Sequence, residues 1–270
     1  MGVIETIQEL TGCSYVLLTN RCNTAIDLGL LIAKDLGHTS VFIPDQGGWI
    51  HYQDMPPKMG LTVIPIKTHD GVIEHIPSKT GCLIYCNPAG YFAEQPTQQI
   101  RKIFSGLIIL DVCGSLGSEL YHPTCGDIIV GSFSKWKPLA IGHGGFFATN
   151  SKAYFDFAKK HLLPAKQFDT QFLIPLEEAL LELPERYDSF FAMCEQVKTD
   201  LALFDIIHPE KKGITVVIGF SSQDEKDAII SYCEENAYQY TECPRYIRVN
   251  RSAISIEVKR IGGPVERTRH

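Results

Sequence analysis

One acidic residue and two lysines have the side-chain types and the spacing needed to bind an aldehyde cofactor. Asp111 ends the apolar run GLIILD (106–111), and Lys135 and Lys137 lie in the Ser- and Gly-rich segment GSFSKWKPLAIGHGG (131–145). A lysine amine forms a Schiff base with an aldehyde, and a carboxylate keeps a ring nitrogen protonated so that the ring can accept electrons. These residue types in this order predict a pyridoxal phosphate site with Asp111 at the ring nitrogen.

The spacing around the lysines resembles fold-type-I pyridoxal-phosphate enzymes of the sugar-aminotransferase-like branch, the DegT/DnrJ/EryC1/StrS family. The family pattern is Ser-Phe, three residues, Lys, four residues and Gly-x-Gly-Gly, and it is matched here by Ser132, Phe133, Lys137, Gly142, Gly144 and Gly145. The amino-acid aminotransferase pattern Ser-x-x-Lys would select Lys135 instead. The glycine spacing favours Lys137 as the catalytic Schiff-base lysine, while a solvated loop is the alternative for both lysines.

The resemblance also implies roles for the residues around these lysines. Asp111 is the catalytic partner of the pyridinium nitrogen, with an acid that caps the turn after the strand as the alternative, and the Ser132 hydroxyl contributes to cofactor binding. The sequence departs from the family at two positions: Gly114 replaces the Gln of Asp-x-x-Gln-x-x-Gly, and His143 replaces the Glu before Gly-Gly. Whatever the glutamine contributes near the ring is therefore missing from position 114.

A helix that starts after the strand SYVLLT (14–19) is the predicted phosphate site. Free backbone N–H groups and the helix dipole favour an anion at such an N-terminus. Asn23 and Thr24 match the Gly-Thr of the family's Ser-Gly-Thr-Ala loop, and Cys22 takes the serine position. An ordinary Asn or Thr helix cap is the alternative interpretation.

Three further residues receive roles through the resemblance. Trp49, with His51 as second choice, is expected to stack on the cofactor ring; core or interface packing is the alternative. Asn87 matches the asparagine of the family's Asn-Pro turn, which contacts the ring hydroxyl; a plain Asn-Pro turn is the alternative. Arg248 in RYIRVN (245–250) matches the Arg-x-Asn strand by which amino-acid aminotransferases hold a substrate carboxylate; a solvated edge strand is the alternative.

Apolar runs of four to six residues alternate with helical stretches over residues 1–150. They predict an α/β fold with a mostly parallel, doubly wound sheet, in the manner of a pyridoxal-phosphate-dependent transferase large domain. Residues 151–212 are predicted to be a helical connection, and residues 213–270 a small α+β C-terminal domain.

Composition limits the partners and the location. The net charge of −6 argues against nucleic acid and anionic membranes. The N-terminal residues lack a signal-peptide pattern. Nine scattered cysteines predict reduced, buried thiols in a cytoplasmic protein, and we expect no metal site. The resemblance implies a homodimer and a small-molecule amino substrate.

The preferred function is amino transfer by a pyridoxal-phosphate enzyme. A C–S lyase or desulfurase-like enzyme is the alternative within the same cofactor class. A desulfurase needs a mobile nucleophilic cysteine on a loop. Cys125 in YHPTCGD looks exposed, but it precedes the cofactor lysine and is discounted for this role. A catalytically degenerate binding or scaffold homologue is another alternative. An NAD-binding enzyme is excluded because no Gly-x-Gly-x-x-Gly follows the first strand.

Overall fold

The computed structural model describes residues 2–76 and 80–261. Its main feature is a seven-stranded sheet with the strand order β1-β9-β8-β7-β6-β2-β3, beside which β4 and β5 form a small antiparallel pair. The strands are β1 (Tyr15–Thr19), β2 (Ser40–Pro44), β3 (Thr62–Ile66), β4 (Thr68–His69), β5 (Val72–Ile73), β6 (Cys82–Cys86), β7 (Leu107–Asp111), β8 (Ile128–Ser132) and β9 (Gly145–Thr149).

The large sheet is mostly parallel, as its apolar runs predict. Strands β6, β7 and β9 are buried at every position, because helices and loops cover both faces of the sheet. Strand β9 is the exception in direction, since it runs antiparallel to both β1 and β8. No helix lies between β8 and β9, and a connection without a crossover helix suits an antiparallel pair. The predicted mostly parallel α/β fold is confirmed.

Helices flank the sheet, and α2 packs directly on β8 and β9. The α-helices are α1 (Val3–Thr11), α2 (Cys22–Asp35), α3 (His51–Lys58), α4 (Thr97–Ile103), α5 (Lys152–His161), α6 (Leu173–Leu181), α7 (Leu183–Asp200) and α8 (Gln223–Glu235). Short 3-10 helices cover Pro164–Lys166, Thr170–Phe172 and Val258–Arg260. None of the helices within the described ranges has the length and apolarity needed to cross a membrane.

A second, four-stranded antiparallel sheet follows in the C-terminal part, with the order β10-β11-β13-β12. Its strands are β10 (Asp205–Ile206), β11 (Val216–Gly219), β12 (Tyr240–Cys243) and β13 (Ala253–Ile256). Strand β10 lies within the segment predicted as a helical connection. The division at residues 150 and 212 stays a prediction, and residues 262–270 lie outside the described residues.

The predicted strand RYIRVN is wrong. Strand β12 ends at Cys243, directly before Pro244, which has no N–H with which to continue the ladder. The chain then turns, because the Arg248 N–H donates to the Arg245 carbonyl and the Arg245 N–H donates to the Val249 carbonyl. Arg248 therefore lies in a turn between β12 and β13.

All nine cysteines are buried free thiols, as their positions in apolar stretches predict. Cys125, which appears exposed in the sequence, is also buried, with 3% of its surface accessible. A cysteine on a mobile surface loop, which a desulfurase needs as a nucleophile, is therefore not among them.

Candidate functional site

Asp111 lies at the end of β7 as a buried carboxylate. One of its oxygens accepts a hydrogen bond from the Tyr52 hydroxyl at 2.5 Å, and the other accepts from the Cys113 N–H at 2.9 Å. Burial and the charge of Asp111 raise the pKa of Tyr52 well above its usual value, so Tyr52 stays a neutral donor. Within residues 2–76 and 80–261, no cation lies at salt-bridge distance from Asp111. A carboxylate that is 3% exposed and lacks a cationic partner suits a positively charged ligand.

The two candidate lysines have different surroundings. Lys137 donates a hydrogen bond from Nζ to the Tyr91 hydroxyl, and the same atom lies 5.7 Å from the centre of the Trp49 ring. Lys135 is exposed, and its Nζ lies 4.4 Å from the ring centre of the adjacent Trp136. The amine of Lys137 therefore lies beside another predicted cofactor residue, Trp49.

Trp49 connects this lysine to the start of α2. Its indole Nε1 donates a hydrogen bond to Asn23 Oδ1 at 2.8 Å, and Asn23 lies in the first turn of α2. The residue before α2, Arg21, makes no side-chain capping bond, so no side chain of that residue covers the first N–H groups of the helix. The second-choice ring, His51, lies 2.7 Å from Asp27 Oδ1 through its Nε2.

The glycine-rich turn fastens the lysine loop to the same helix start. A Cβ at Gly145 would lie 2.5 Å from the Cys22 nitrogen and 2.6 Å from the Gly131 carbonyl oxygen, so only glycine fits. Gly144, in the left-handed region with φ +95°, donates its N–H to the Asn20 carbonyl at 3.1 Å. The glycine pattern that identifies the loop thus has a physical cause in this close approach.

Other parts of this loop have local partners. The Ser132 hydroxyl donates to Ser134 Oγ at 3.0 Å, which leaves two hydroxyl groups together at the end of β8. His143, which replaces the family's glutamate, stacks on Phe172 with ring centres 4.6 Å apart. These contacts place His143 against the segment before α6.

Two predicted site residues are engaged elsewhere through their side chains. The Asn87 amide donates to the Leu120 carbonyl at 2.6 Å, and its oxygen accepts from the Gln95 N–H at 2.9 Å. Thr24 donates its hydroxyl to Asn20 Oδ1 at 2.8 Å. The Asn87 amide keeps a second N–H and a second lone pair on its oxygen, and its contact with a cofactor hydroxyl stays a prediction.

Arg248 is also engaged, and this corrects its interpretation. Its guanidinium is 2% exposed, and Nη2 donates to both oxygens of Glu257 at 2.7 Å. The carboxylate that Arg248 binds in this structure is therefore that of Glu257, and not one supplied by a substrate. Sequence alone could not show this pairing, because the two residues meet only through the fold of the small sheet.

Glu257 has two further cationic neighbours, Lys259 and Arg260. Burial opposes ionisation of Glu257, but the charges of Arg248, Lys259 and Arg260 outweigh it and hold the Glu257 pKa well below its usual value. We call these four residues the Glu257 cluster. It combines three cationic side chains with one carboxylate.

The structure reveals two tyrosines that sequence reasoning did not assign to the site. Tyr52 contacts Asp111, and Tyr91 contacts Lys137. The one signal for Tyr91 is indirect: position 114 lacks the family's glutamine, and a Cβ at Gly114 would lie 2.6 Å from Cδ1 of the Tyr91 ring.

Two thiols lie beside Asp111. The sulfur atoms of Cys22 and Cys113 are 3.7 Å apart. These two atoms and a carboxylate oxygen of Asp111 all lie within 4.8 Å of one another. The hydrogen bond to Cys113 and burial raise the pKa of Cys22 well above its usual value. Burial also raises the pKa of Cys113, so both thiols stay protonated. The sequence, which predicts no metal site, does not anticipate this cluster.

One family model matches part of the chain. Residues 184–263 match the C-terminal domain of the MJ1341 family. The matched segment includes the Glu257 cluster and all four strands of the small sheet. Comparison with curated proteins finds no match to this chain.

Solved structures match almost the whole chain in fold. A DegT DnrJ EryC1 StrS aminotransferase from Brucella abortus superposes with a TM-score of 0.74 at 14% identity, covering 94% of this chain and 83% of that chain. PseC of Helicobacter pylori, an aminotransferase of pseudoaminic acid biosynthesis, gives 0.72 at 15% identity, covering 94% and 84%. NtdA of Bacillus subtilis, solved with bound cofactor PMP, gives 0.68 at 15%, covering 96% and 73%. The predicted resemblance in fold is confirmed.

Proposed function

We propose that this protein binds pyridoxal phosphate through Lys137 and transfers an amino group to or from a small molecule. One observation carries the proposal: the buried Asp111 carboxylate lies without a cationic partner among the described residues, in a site that also holds the Lys137 amine and the α2 start. The aminotransferases of the same fold support it, since one of them was solved with the cofactor.

The donor set fits this cofactor. Asp111 would pair with the protonated ring nitrogen, the start of α2 with the Ser132 hydroxyl would receive the phosphate, and Trp49 would pack against the ring. When bound, the cofactor supplies an electron sink for a bond broken next to the substrate nitrogen. Tyr52 and the Cys113 N–H hold Asp111 in place for this pairing.

Lys137 has two tasks in this proposal. Its Nζ would hold the cofactor covalently while no substrate is present. Once the substrate amine has replaced it, Nζ would move a proton at the substrate carbon as general base and then as general acid. The glycine-rich turn, fixed to the start of α2, keeps the lysine loop in place during both tasks.

An absorption titration tests the proposal. We expect the purified protein to develop a visible band with pyridoxal phosphate, and that band to move when a usable amino donor is added, with recovery on addition of a keto acceptor. Release of sulfide or ammonia without such recovery would favour a lyase instead. A folded protein that stays colourless would reject the enzyme and favour a binding or scaffold protein.

We also propose that the protein is a homodimer. Three large aliphatic side chains between residues 163 and 181 are strongly exposed: Leu163 by 63%, Ile174 by 69% and Leu181 by 79%. Ile174 and Leu181 stand seven positions apart in α6 and so lie on one face of that helix, and exposed apolar side chains that lie together are typical of a contact surface. Light scattering after gel filtration should give twice the mass of one chain, and Ile174→Asp should lower it; a single-chain mass for the unchanged protein would reject the dimer.

A further inference from the structure

Tyr91 is the only residue among those described that combines a hydrogen bond to the Lys137 amine with a ring beside Gly114. It is 9% exposed, and Lys137 Nζ lies 4.4 Å from its ring centre. Its hydroxyl accepts the hydrogen bond that Lys137 donates. No residue-by-residue match to the family assigns it a role.

We propose that Tyr91 is a positioning residue of this site, whose phenol oxygen holds the Lys137 amine and whose ring fills the space left open by Gly114. The inference rests on the proposed function, because that function gives Lys137 its role. This chain lacks the family's glutamine side chain at position 114, and another loop places the Tyr91 ring there instead.

Steric complementarity between Tyr91 and Gly114 supports the proposal. A Cβ at position 114 would lie 2.6 Å from Cδ1 and 3.0 Å from Cε1 of the Tyr91 ring, and 3.1 Å from Cδ of Pro88. These distances are shorter than van der Waals contact. Any side chain at position 114 would therefore displace the ring, and with it the hydroxyl on Lys137.

The main chain of Tyr91 is held in an unusual conformation. Its φ of +70° lies in the left-handed region, which is uncommon for a bulky residue and needs support from the surroundings. The support comes from the C-terminal part, because the Tyr91 carbonyl accepts hydrogen bonds from the N–H groups of Ile214 at 2.7 Å and Thr215 at 3.1 Å. Such a conformation is retained at sites where a side chain must point in one direction.

Charged and titratable groups surround the ring on several elements. Lys259 Nζ lies 4.9 Å and the Arg248 guanidinium 5.5 Å from the ring centre. Burial raises the pKa of Tyr91 well above its usual value, the neighbouring Cys113, Cys86 and Asp111 act in the same direction, and Arg248 opposes them. The phenol therefore stays protonated at neutral pH, and its oxygen accepts the hydrogen bond from Lys137 Nζ.

Amine labelling without cofactor tests this role independently of enzymatic activity. The protein is treated with acetic anhydride at fixed pH, and acetylation of Lys137 is followed by peptide mass spectrometry, with Lys135 as an internal reference. We expect Tyr91→Phe to raise the labelling rate of Lys137 about tenfold, because Nζ loses the hydrogen-bond partner that holds it. The rate at Lys135 should not change.

Two more variants keep the test decisive. Gly114→Ala should raise the Lys137 rate in the same direction, since its methyl group displaces the ring while the hydroxyl is retained. Tyr121→Phe is the matched control, because it removes another buried phenol, which donates to the Thr11 carbonyl at 2.7 Å away from Lys137. Thermal unfolding establishes that each variant folds.

Equal Lys137 rates in the unchanged protein, Tyr91→Phe and Gly114→Ala would overturn the proposal. Cofactor binding is measured separately by the visible band. A changed labelling rate in a protein that binds no cofactor would reject the proposed function and keep the Tyr91–Lys137 contact. A normal visible band with unchanged labelling rates would keep the proposed function and reject the role of Tyr91.

Discussion

Lys137→Ala is expected to abolish the covalent adduct that borohydride reduction forms between the protein and pyridoxal phosphate. Lys135→Ala is expected to keep this adduct. The Lys137 amine lies beside Trp49 and on the Tyr91 hydroxyl, whereas Lys135 lies on the surface over Trp136. Amino transfer by Lys137→Ala should fall by about 10²- to 10⁴-fold, the usual contribution of a positioned proton-transfer group.

Reduction with borohydride, digestion and peptide mass mapping would check this expectation. The two lysines form a matched pair, since they have the same side chain, stand two positions apart and occupy the same loop. An adduct that persists in Lys137→Ala and disappears in Lys135→Ala would reassign the Schiff-base lysine. Loss of the adduct in both variants would point to damage to the loop, which thermal unfolding would detect.

Glu257→Gln is expected to have the largest effect on stability. The substitution leaves the guanidinium groups of Arg248 and Arg260 and the amine of Lys259 buried without their carboxylate. Removing one partner of a buried ion pair costs about 3–5 kcal/mol, because the remaining charge stays desolvated. Urea unfolding should therefore show a large decrease in the midpoint with little change in slope.

An exposed ion pair provides the control. Asp156→Asn breaks the pair with Lys152, whose side chains are 56% and 68% exposed, and should not shift the urea midpoint measurably. Equal midpoints for Glu257→Gln and the unchanged protein would contradict the role given to the Glu257 cluster.

The same carboxylate predicts an acid dependence. Because its folded pKa is depressed, Glu257 stabilises the fold fully above its usual value of 4.5. This contribution decreases as the pH falls below 4.5 and through the lower folded value. The difference in unfolding free energy between the unchanged protein and Glu257→Gln should therefore shrink in acid. A difference that stays constant from neutral pH down to pH 2 would contradict this linkage.

The sequence predicts the large sheet well because its strands are buried on both faces. Runs such as CLIYC and LIIL (107–110) are apolar throughout, so the runs themselves mark where strands begin and end. The segment RYIRVN also alternates in a strand-like manner, yet it turns after Pro244. Arg248 in this segment pairs with Glu257, which lies elsewhere in the chain. Nothing in the residues around Arg248 indicates that partner.

The site residues also fall into those that the sequence predicts and those that only the fold brings together. Asp111, Lys137 and the glycines lie on one stretch of chain, so their spacing is visible in the sequence. Tyr52 reaches them from α3, and Tyr91 from the loop after β6. The Tyr91 contact depends on a close approach at Gly114 and on the backbone conformation of Tyr91, and neither can be derived from residue order.

The exchange between Gly114 and Tyr91 affects how relatives of this protein should be sought. A search pattern that demands glutamine at the third position after the aspartate passes over this chain. A better pattern couples two separate segments: glycine at that position, together with an aromatic hydroxyl shortly after the Asn-Pro turn. Chains in which the two features occur together would share this arrangement of the lysine, and chains with only one of them would not.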